Sequence, residues 1–565
     1  MTTITEGMTS AQFITALNVN FGLLAFPNSS LATITSSSDL TAINGNFIIL
    51  KNETYLTTNI FALSNGMTGS DFINALNYNF NNLNLNINGA NAVLTVGTDK
   101  NYKTINTAVA RAISGNTLKI DAGTYNEHID LSTKRLNLIG SGTLETIIYY
   151  TETLSPTNIF STVSIGTNST FDNIIFRKLN NNAANSHKEI ISISACNPEF
   201  TNCEIQSAQS DHRLDIMLIQ NSSNVTMTNC IFDCNGVLFG DKDTLITVKD
   251  TSTFTYEGTK FKAQILAQNS SVVNIDADEL WTGTGTGLHT IEASGTASIT
   301  VKINTTHRGF NQASNLEINA WTEKLVLVWL EGDNTFTLNG KLRGEITVDG
   351  YNNTVLIKDV TADTGACRIV SGGGAHINTN VITIDNSHLI YDFDDVAIGL
   401  HNIEDTMGCV YKLINGTILE FSGYHGHAHT YGQPIASSNG GTVYMRNSQV
   451  IQHCDQIDGY AIAISSNGPV DIEDSVITCD DWDGNDAHEC LIVSLYQSHI
   501  NCRLKNVTFN NDTGTLGYAV YVYLAGKTLD SSDYICASGL INNTLATNIS
   551  NDMTSYNTLL NHCTP

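Results

Sequence analysis

The feature that most constrains this chain is a short motif that returns along most of its length. An Asn or Asp is followed, after one or two residues, by an apolar residue or pair. Asp172-Asn173-Ile174, Thr201-Asn202-Cys203 and Thr228-Asn229-Cys230 open the series, and Asp385-Asn386-Ser387, Arg446-Asn447-Ser448, Glu473-Asp474-Ser475 and Lys505-Asn506-Val507 continue it. Within each run, neighbouring examples lie 27 to 32 residues apart, and Asn386 to Asn447 is about twice that. A fixed period in this window is the mark of a solenoid, in which each repeat buries its apolar residues only against its neighbours. Asn and Asp tolerate the tight backbone of a corner, so they mark where each coil turns.

Residues 92–150 show how such a solenoid would start. Ile105, Ala108, Val109 and Ala112 recur at helical spacing, while the rest of the stretch consists of short strand runs cut by Gly, Asn and Thr. The order Lys103-Thr-Ile-Asn, Ala122-Gly-Thr-Tyr125 and Leu138-Ile-Gly-Ser-Gly142 resembles the opening of the pectin lyase-like right-handed parallel β-helix. That resemblance implies an all-β solenoid whose first helix plugs the open end. The expected organisation is a helical region over 1–90, a parallel β-helix over 91–536 and a terminal cap over 537–565, where the strand rhythm is lost. Residues 250–365, with Trp281, Trp321 and Trp329, are less regular and are expected to hold distorted or interrupted coils.

The first ninety residues contain a duplication. Residues 7–24 recur as 66–83, with eleven of eighteen positions identical. Each copy starts with a capping signal, Thr9 with Gln12 and Thr68 with Asp71. Each carries one apolar stripe, Phe13, Ile14, Leu17, Phe21 and Leu24 in the first and Phe72, Ile73, Leu76, Phe80 and Leu83 in the second. Helices this short need a packing partner. Between them, Thr41 to Leu63 suggests short strands such as Phe47-Ile-Ile-Leu50. The duplicated module resembles those of tail-spike and tail-fibre proteins of tailed bacteriophages, including crAss-like phages. The resemblance implies a virion location, a homotrimer, and attachment to other virion proteins through residues 1–90.

Composition narrows the partners. The formal net charge is −27, with 27 Lys and Arg against 54 Asp and Glu, which argues against a nucleic-acid partner. No apolar run approaches the roughly 20 residues of a membrane span, and no signal peptide is visible, so synthesis in a host cytoplasm without membrane insertion is expected. The twelve cysteines then read as mostly reduced thiols. Cys203 and Cys230 fit equivalent interior positions on successive coils, a better account than a zinc site at Cys230 and Cys234.

The resemblance also supplies a test for chemistry. Pectin methylesterases use two Asp side chains. After Cys203 this chain has Asp211 and Asp215 without the family's Gln-Asp-Thr-Leu turn, and Gly236 stands where the nucleophilic Asp would be. Without that carboxylate there is no attack on an ester. A glycosidase needs two carboxyl groups across one groove. Asp481, Asp483, Asp486 and Glu489 are the candidates, with Trp482 as a sugar platform and the same oxygens available to calcium. Asp392, Asp394 and Asp395 form a second cluster. His425, His427 and His429 alternate, so on an extended strand they share one face about 6.5–7 Å apart. This His-x-His run resembles metal-binding motifs of trimeric phage fibres, and the three are the candidate holders of a bound metal ion; no cofactor is otherwise required. Tyr424, Tyr431 and Trp482 are candidate ligand contacts. The leading expectation is a spike or fibre subunit binding a host-surface glycan or receptor without turnover. The alternatives are a β-helical polysaccharide depolymerase and, less favoured, a bacterial surface adhesin.

Overall fold

The structure is a computed structural model. It describes residues 4–5, 8–24, 32–33, 40–53, 63–64, 67–88, 92–142, 144–150, 161–178, 189–207, 214–234, 244–282, 291–309, 326–348, 352–371, 380–393, 403–405, 408–423, 434–437, 441–454, 461–466, 468–481, 490–496, 501–511, 518–523, 529 and 531–540. Two compact units are present. The first comprises Met1–Gln209, Ile216–Leu218 and Ser223–Ile231, and the second Ser210–Asp215, Ile219–Ser222 and Phe232–Pro565.

The first unit begins with three helices, α1 (Ser10–Leu24), α2 (Leu40–Glu53) and α3 (Gly69–Asn88). The capping signals are used: Gln12 N donates to Thr9 Oγ1 and Thr9 N to Gln12 Oε1, while Asp71 N donates to Thr68 Oγ1. The short strand expected at Phe47–Leu50 is instead part of a helix, Leu40–Glu53, and residues 54–62 of the expected strand region lie outside the described residues. Ile43 and Phe47 lie one helical turn apart, and both are fully buried. Phe21, Phe47 and Phe80 meet in a closed triangle, with centroids 4.8 to 4.9 Å apart and tilts of 58 to 61°. Leu17 and Phe21 of α1 and Leu76 and Phe80 of α3 are therefore buried within the chain, while Phe13, Ile14, Phe72 and Ile73 of the same stripes are half-buried. Side-chain amides tie this head together. Asn44 exchanges two hydrogen bonds with the backbone of Leu63, Asn46 with Ala32 and Asn77 with Ile4. Buried peptide groups outside the helices thus find partners.

The helix expected at the solenoid's start is α4 (Ile105–Arg111), which buries Ile105, Ala108 and Val109 against the first strands. Glu127 accepts from the backbone N–H groups of Ile105 and Asn106, and Lys134 Nζ donates to the carbonyls of Val109 and Ala110. A carboxylate at the N-terminus and an ammonium at the C-terminus both oppose the helix dipole.

Beyond α4 each unit is a right-handed parallel β-helix, and the strands pair in parallel from coil to coil among the described residues. Side chains alternate between core and solvent, and like positions stack. In the first unit Phe171 pairs in register with Phe200, and their rings lie 4.7 Å apart at 10°. In the second, one interior column passes from Phe254 through Val273, Ile299, Phe336, Val355, Ile382, Tyr411, Val443, Val470 and Cys502 to Ile535. All are at most 1% exposed. Each contributes about 1.5–3 kcal/mol by leaving water. Over 250–365 the described strands stay in parallel register from coil to coil, with shifts at Ala277/Glu279, Val326/Val328, Asn339/Gly340 and Leu342/Gly344 that distort the coils; Trp321 lies outside the described residues. The buried ladder of Asn334, Asn353 and Asn380 steps by 19 and then 27 residues, each side chain accepting a backbone N–H from the preceding coil. The wide coil before it spans 37 residues, from Ala297 to Asn334.

The rung residues of the sequence motif are the corners. Asn173, Asn202, Asn229, Asn386, Asn447, Asp474 and Asn506 all have φ between 46 and 55°. Four of these side chains reach back one coil. Asn202 Nδ2 donates to Asp172 Oδ1 and Asn229 Nδ2 to Asn202 Oδ1; in the second unit Asn386 donates to Asp359 and Asn506 to Asp474. We expect Asn202→Ala to cost about 1–2 kcal/mol from the left-handed backbone and about 0.5–1.5 from each lost bond. Asn202→Gly keeps the backbone unstrained, so thermal midpoints should fall in the order wild type, Gly, Ala.

Cys203 and Cys230 follow successive corner asparagines and are both buried, with Ile231 N donating to Cys203 O. Cys196, Cys203, Cys230, Cys234, Cys409 and Cys502 are free thiols, but Cys536 is disulfide-bonded. Burial, with the charge of Asp471 adding to it, pushes the Cys502 thiol up to about 12. The unfolded thiol ionises first, so this contribution to stability is complete below about pH 9 and is lost as pH rises towards 12. Stability against pH should therefore fall more steeply between 9 and 12 in the wild type than in Cys502→Ala, by up to about 1.4 kcal/mol per pH unit. Strand pairing reaches Tyr534–Ser538, one residue past Ala537, in register with Asn501–Lys505. Residues 541–565 of the expected cap lie outside the described residues.

Candidate functional site

In the second unit, the register of one sheet decides where its loops emerge. His388–Phe393 pairs with Ile418–Gly423, which pairs with Gln449–Cys454, which pairs with Val476–Asp481. Phe393 is level with Gly423, and Cys454 with Asp481. The connections over 394–402, 424–433, 455–460 and 482–489 therefore leave from one edge of the sheet, coil after coil. Thr508–Asn511 adds a fifth strand to the row.

The connections that follow these strand ends contain, in sequence, nearly all the candidates read from the sequence. Tyr424, His425, His427, His429 and Tyr431 belong to the second connection, and Trp482, Asp483, Asp486 and Glu489 to the fourth. Asp394 and Asp395 belong to the first. These residues lie outside the described residues, while the strand ends that launch them do not. Asp481 is the last residue of its strand, and Asp392 is level with Ser422. Gly236 and Asp211, the positions of the esterase test, also lie outside the described residues. Among the described residues no group of three His, Cys, Asp or Glu is placed to hold a metal ion.

The sheet itself carries a constellation that the sequence reading missed. Glu420 sits on the middle strand between two histidines one coil away on either side. His388 Nε2 is 2.8 Å from Glu420 Oε2, and His453 Nε2 is 3.3 Å from Glu420 Oε1. A carboxylate only accepts, so each imidazole carries its proton on Nε2. The three side chains are 35%, 27% and 18% exposed, with His453 the most covered. The strand alternation explains the placement. Leu389, Leu419, Phe421 and Val450 point into the core, so His388, Glu420 and His453 fall on the outer face. Their separations of 32 and 33 residues are each two more than the local register steps of 30 and 31, so each pair meets diagonally across neighbouring coils on the same face. The signal in the sequence was that spacing, since no local motif joins them.

A second charged group lies on the neighbouring sheet. Arg446 Nη2 is 2.9 Å from Asp471 Oδ2 and its Nε 3.3 Å from Glu473 Oε2. Its guanidinium carbon lies 3.8 Å from the Tyr444 ring centroid, and Lys505 pairs with Glu473. The guanidinium also donates to the carbonyls of Met445 and Asp471. So fully engaged an arginine binds coil to coil and leaves little for a ligand.

No protein-family model matches the chain, and no curated protein matches it. Among solved structures, pectin methylesterase from carrot aligns with 48% of this chain and 83% of its own, at 16% identity and a TM-score of 0.30. Pectin methylesterase PemA from Erwinia chrysanthemi covers 48% and 80%, at 13% identity and 0.27. The catalytic domain of a GH87 alpha-1,3-glucanase in complex with nigerose covers 80% of this chain and 69% of that one, at 13% identity and 0.24. Similarity at these scores assigns no activity, and the right-handed parallel β-helix rests on the strand register described above.

Proposed function

We propose that this chain is a virion β-helix of tail-spike or tail-fibre type that binds a host-surface glycan or receptor along the loop edge of its second unit. The observation that carries this reading is the register that stacks the exits of four connections rich in Tyr, His, Trp and Asp along one sheet edge. Aromatic faces and carboxylates are the groups that hold a sugar, the former by packing on its C–H surface and the latter by accepting from its hydroxyls. A solenoid repeats such contacts along a polymer because each coil adds one connection to the same edge. In this reading residues 1–90 join the chain to other virion proteins. Deleting them should leave a folded β-helix that is absent from purified particles, and normal incorporation of the truncated chain would refute the assignment.

The second reading, a polysaccharide depolymerase, is favoured by Glu420. Two imidazoles hold this carboxylate in one orientation, and in the same row the position of Asp392 lies on the adjacent strand and that of Asp480 two strands away, beyond His453. The two readings part on turnover. Purified protein incubated with host polysaccharide should bind it without raising the number of reducing ends. Sustained release that falls by about 10²-fold or more in Glu420→Gln would install the depolymerase instead.

A further inference from the structure

Two cysteines of the first unit share one interior line. Thr201 pairs in register with Thr228, and the asparagines that follow, Asn202 and Asn229, are both left-handed corners with φ of 51 and 52°. The two strands stay in step beyond the corner, where Ile231 N donates to Cys203 O over 2.9 Å. Cys203 is therefore level with Cys230. Level residues on neighbouring coils have Cα atoms about 4.8 Å apart, within the span of about 4.4–6.8 Å that a disulfide bridges. Both sulfurs also lie against one short piece of backbone. Cys203 Sγ is 3.3 Å from Thr201 O, and Cys230 Sγ is 3.4 Å from Thr228 O and 3.5 Å from Phe200 O on the preceding coil. Both side chains are thiols and at most 1% exposed. The corner residues Thr201, Thr228 and Asn229 are exposed, so each thiol sits just inside a surface corner.

We infer that Cys203 and Cys230 form an oxidation site, at which hydrogen peroxide closes a disulfide from coil to coil. The inference is independent of the glycan reading. The two thiols differ in a way that assigns their parts. By donating to it, the Cys203 thiol holds Cys230 below its ordinary range against the opposing effect of burial. Burial holds Cys203 well above that range. Cys230 is therefore the thiolate that attacks. Its sulfur takes one peroxide oxygen, the O–O bond breaks, and the hydroxide that leaves takes up the Cys230 proton as water. The Cys203 sulfur then attacks the sulfenic acid formed on Cys230. The S–S bond forms, the S–O bond breaks, and the second hydroxide leaves as water with the Cys203 proton. Two thiols are oxidised by two electrons, and one peroxide is reduced to two waters. Hydrogen peroxide is small enough to pass a corner that stops a bulkier oxidant. Cys536 is disulfide-bonded, so this chain meets an oxidant in any case.

The test treats the full chain with hydrogen peroxide, blocks the remaining thiols after unfolding, and maps the unreduced peptides by mass spectrometry. A peptide linking Cys203 to Cys230 should appear, and dithiothreitol should remove it. The bond ties residues 27 apart and restricts the unfolded chain, so the oxidised protein should melt about 5 °C higher. In Cys203→Ala the sulfenic acid has no thiol to close on, and the trapping reagent dimedone should label Cys230. In Cys230→Ala, Cys203 should stay unlabelled. Circular dichroism confirms that each variant is folded, and the wild-type map does not depend on the variants. Blocked thiols at both positions after peroxide would overturn the site, as would linkage of either cysteine to Cys196 or Cys234 as often as to the other. Equal dimedone labelling in the two variants would overturn the assigned roles.

Discussion

Phe47→Ala is expected to unfold the N-terminal helices, at a cost of about 3–5 kcal/mol, the usual range for removing a buried phenylalanine. Phe47 is fully buried and touches both Phe21 and Phe80 at under 5 Å, so its loss opens the triangle on two sides. Helices of 15, 14 and 20 residues have little stability of their own. The whole head should therefore respond rather than one helix. Hydrogen exchange in the full chain is the readout. Amides of α1 and α3 should lose protection together with those of α2. Continued protection of α1 and α3 would mean that the two long copies hold each other without the middle helix.

The second large effect concerns the coil corners where only glycine fits. Gly340 has φ +89°, and a Cβ there would lie 2.0 Å from the carbonyl oxygen of Ile303 on the preceding coil. Gly140 has the same problem, with a Cβ 2.1 Å from the Asn173 carbonyl oxygen. The obstacle is backbone in both cases, so no side chain can move aside. Gly340→Ala should cost about 1–2 kcal/mol in left-handed strain and about 1–3 kcal/mol in overpacking. Gly416, with a similar φ of +87° but nothing nearer than 3.8 Å, should lose only the strain. A urea midpoint that falls as far for Gly416→Ala as for Gly340→Ala would contradict the close approach of the coils.

Much of the fold was legible because a solenoid writes its period into the chain. The recurring Asn or Asp marked corners that do adopt left-handed backbone, and the opening stretch placed α4 and its buried face. The second helix was hidden by local composition. Phe47-Ile-Ile-Leu50 reads as a strand, and Gly45 interrupts a helical pattern. The correct signal was the flanking repeat: Asn44-Gly-Asn-Phe47 matches Asn18-Val-Asn-Phe21 and Asn77-Tyr-Asn-Phe80, so the duplication has a third, degenerate member. The site was legible only in part. Connections rich in chemistry stood out, and what the register adds is that the strands preceding them end level with one another. His388, Glu420 and His453 could not stand out, because each sits alone in an ordinary strand and meets its partners only through the coil period.

The central claim is that the loop edge of the second unit contacts the glycan. It is tested most directly by measuring binding of host-surface polysaccharide and release of reducing ends in one assay. The proteins to compare are the wild type and a chain whose 424–433 and 482–489 connections are replaced by Gly-Ser segments of equal length. The account predicts wild-type binding without release, and loss of binding in the replaced chain with the β-sheet spectrum unchanged. Undiminished binding by the replaced chain would contradict it.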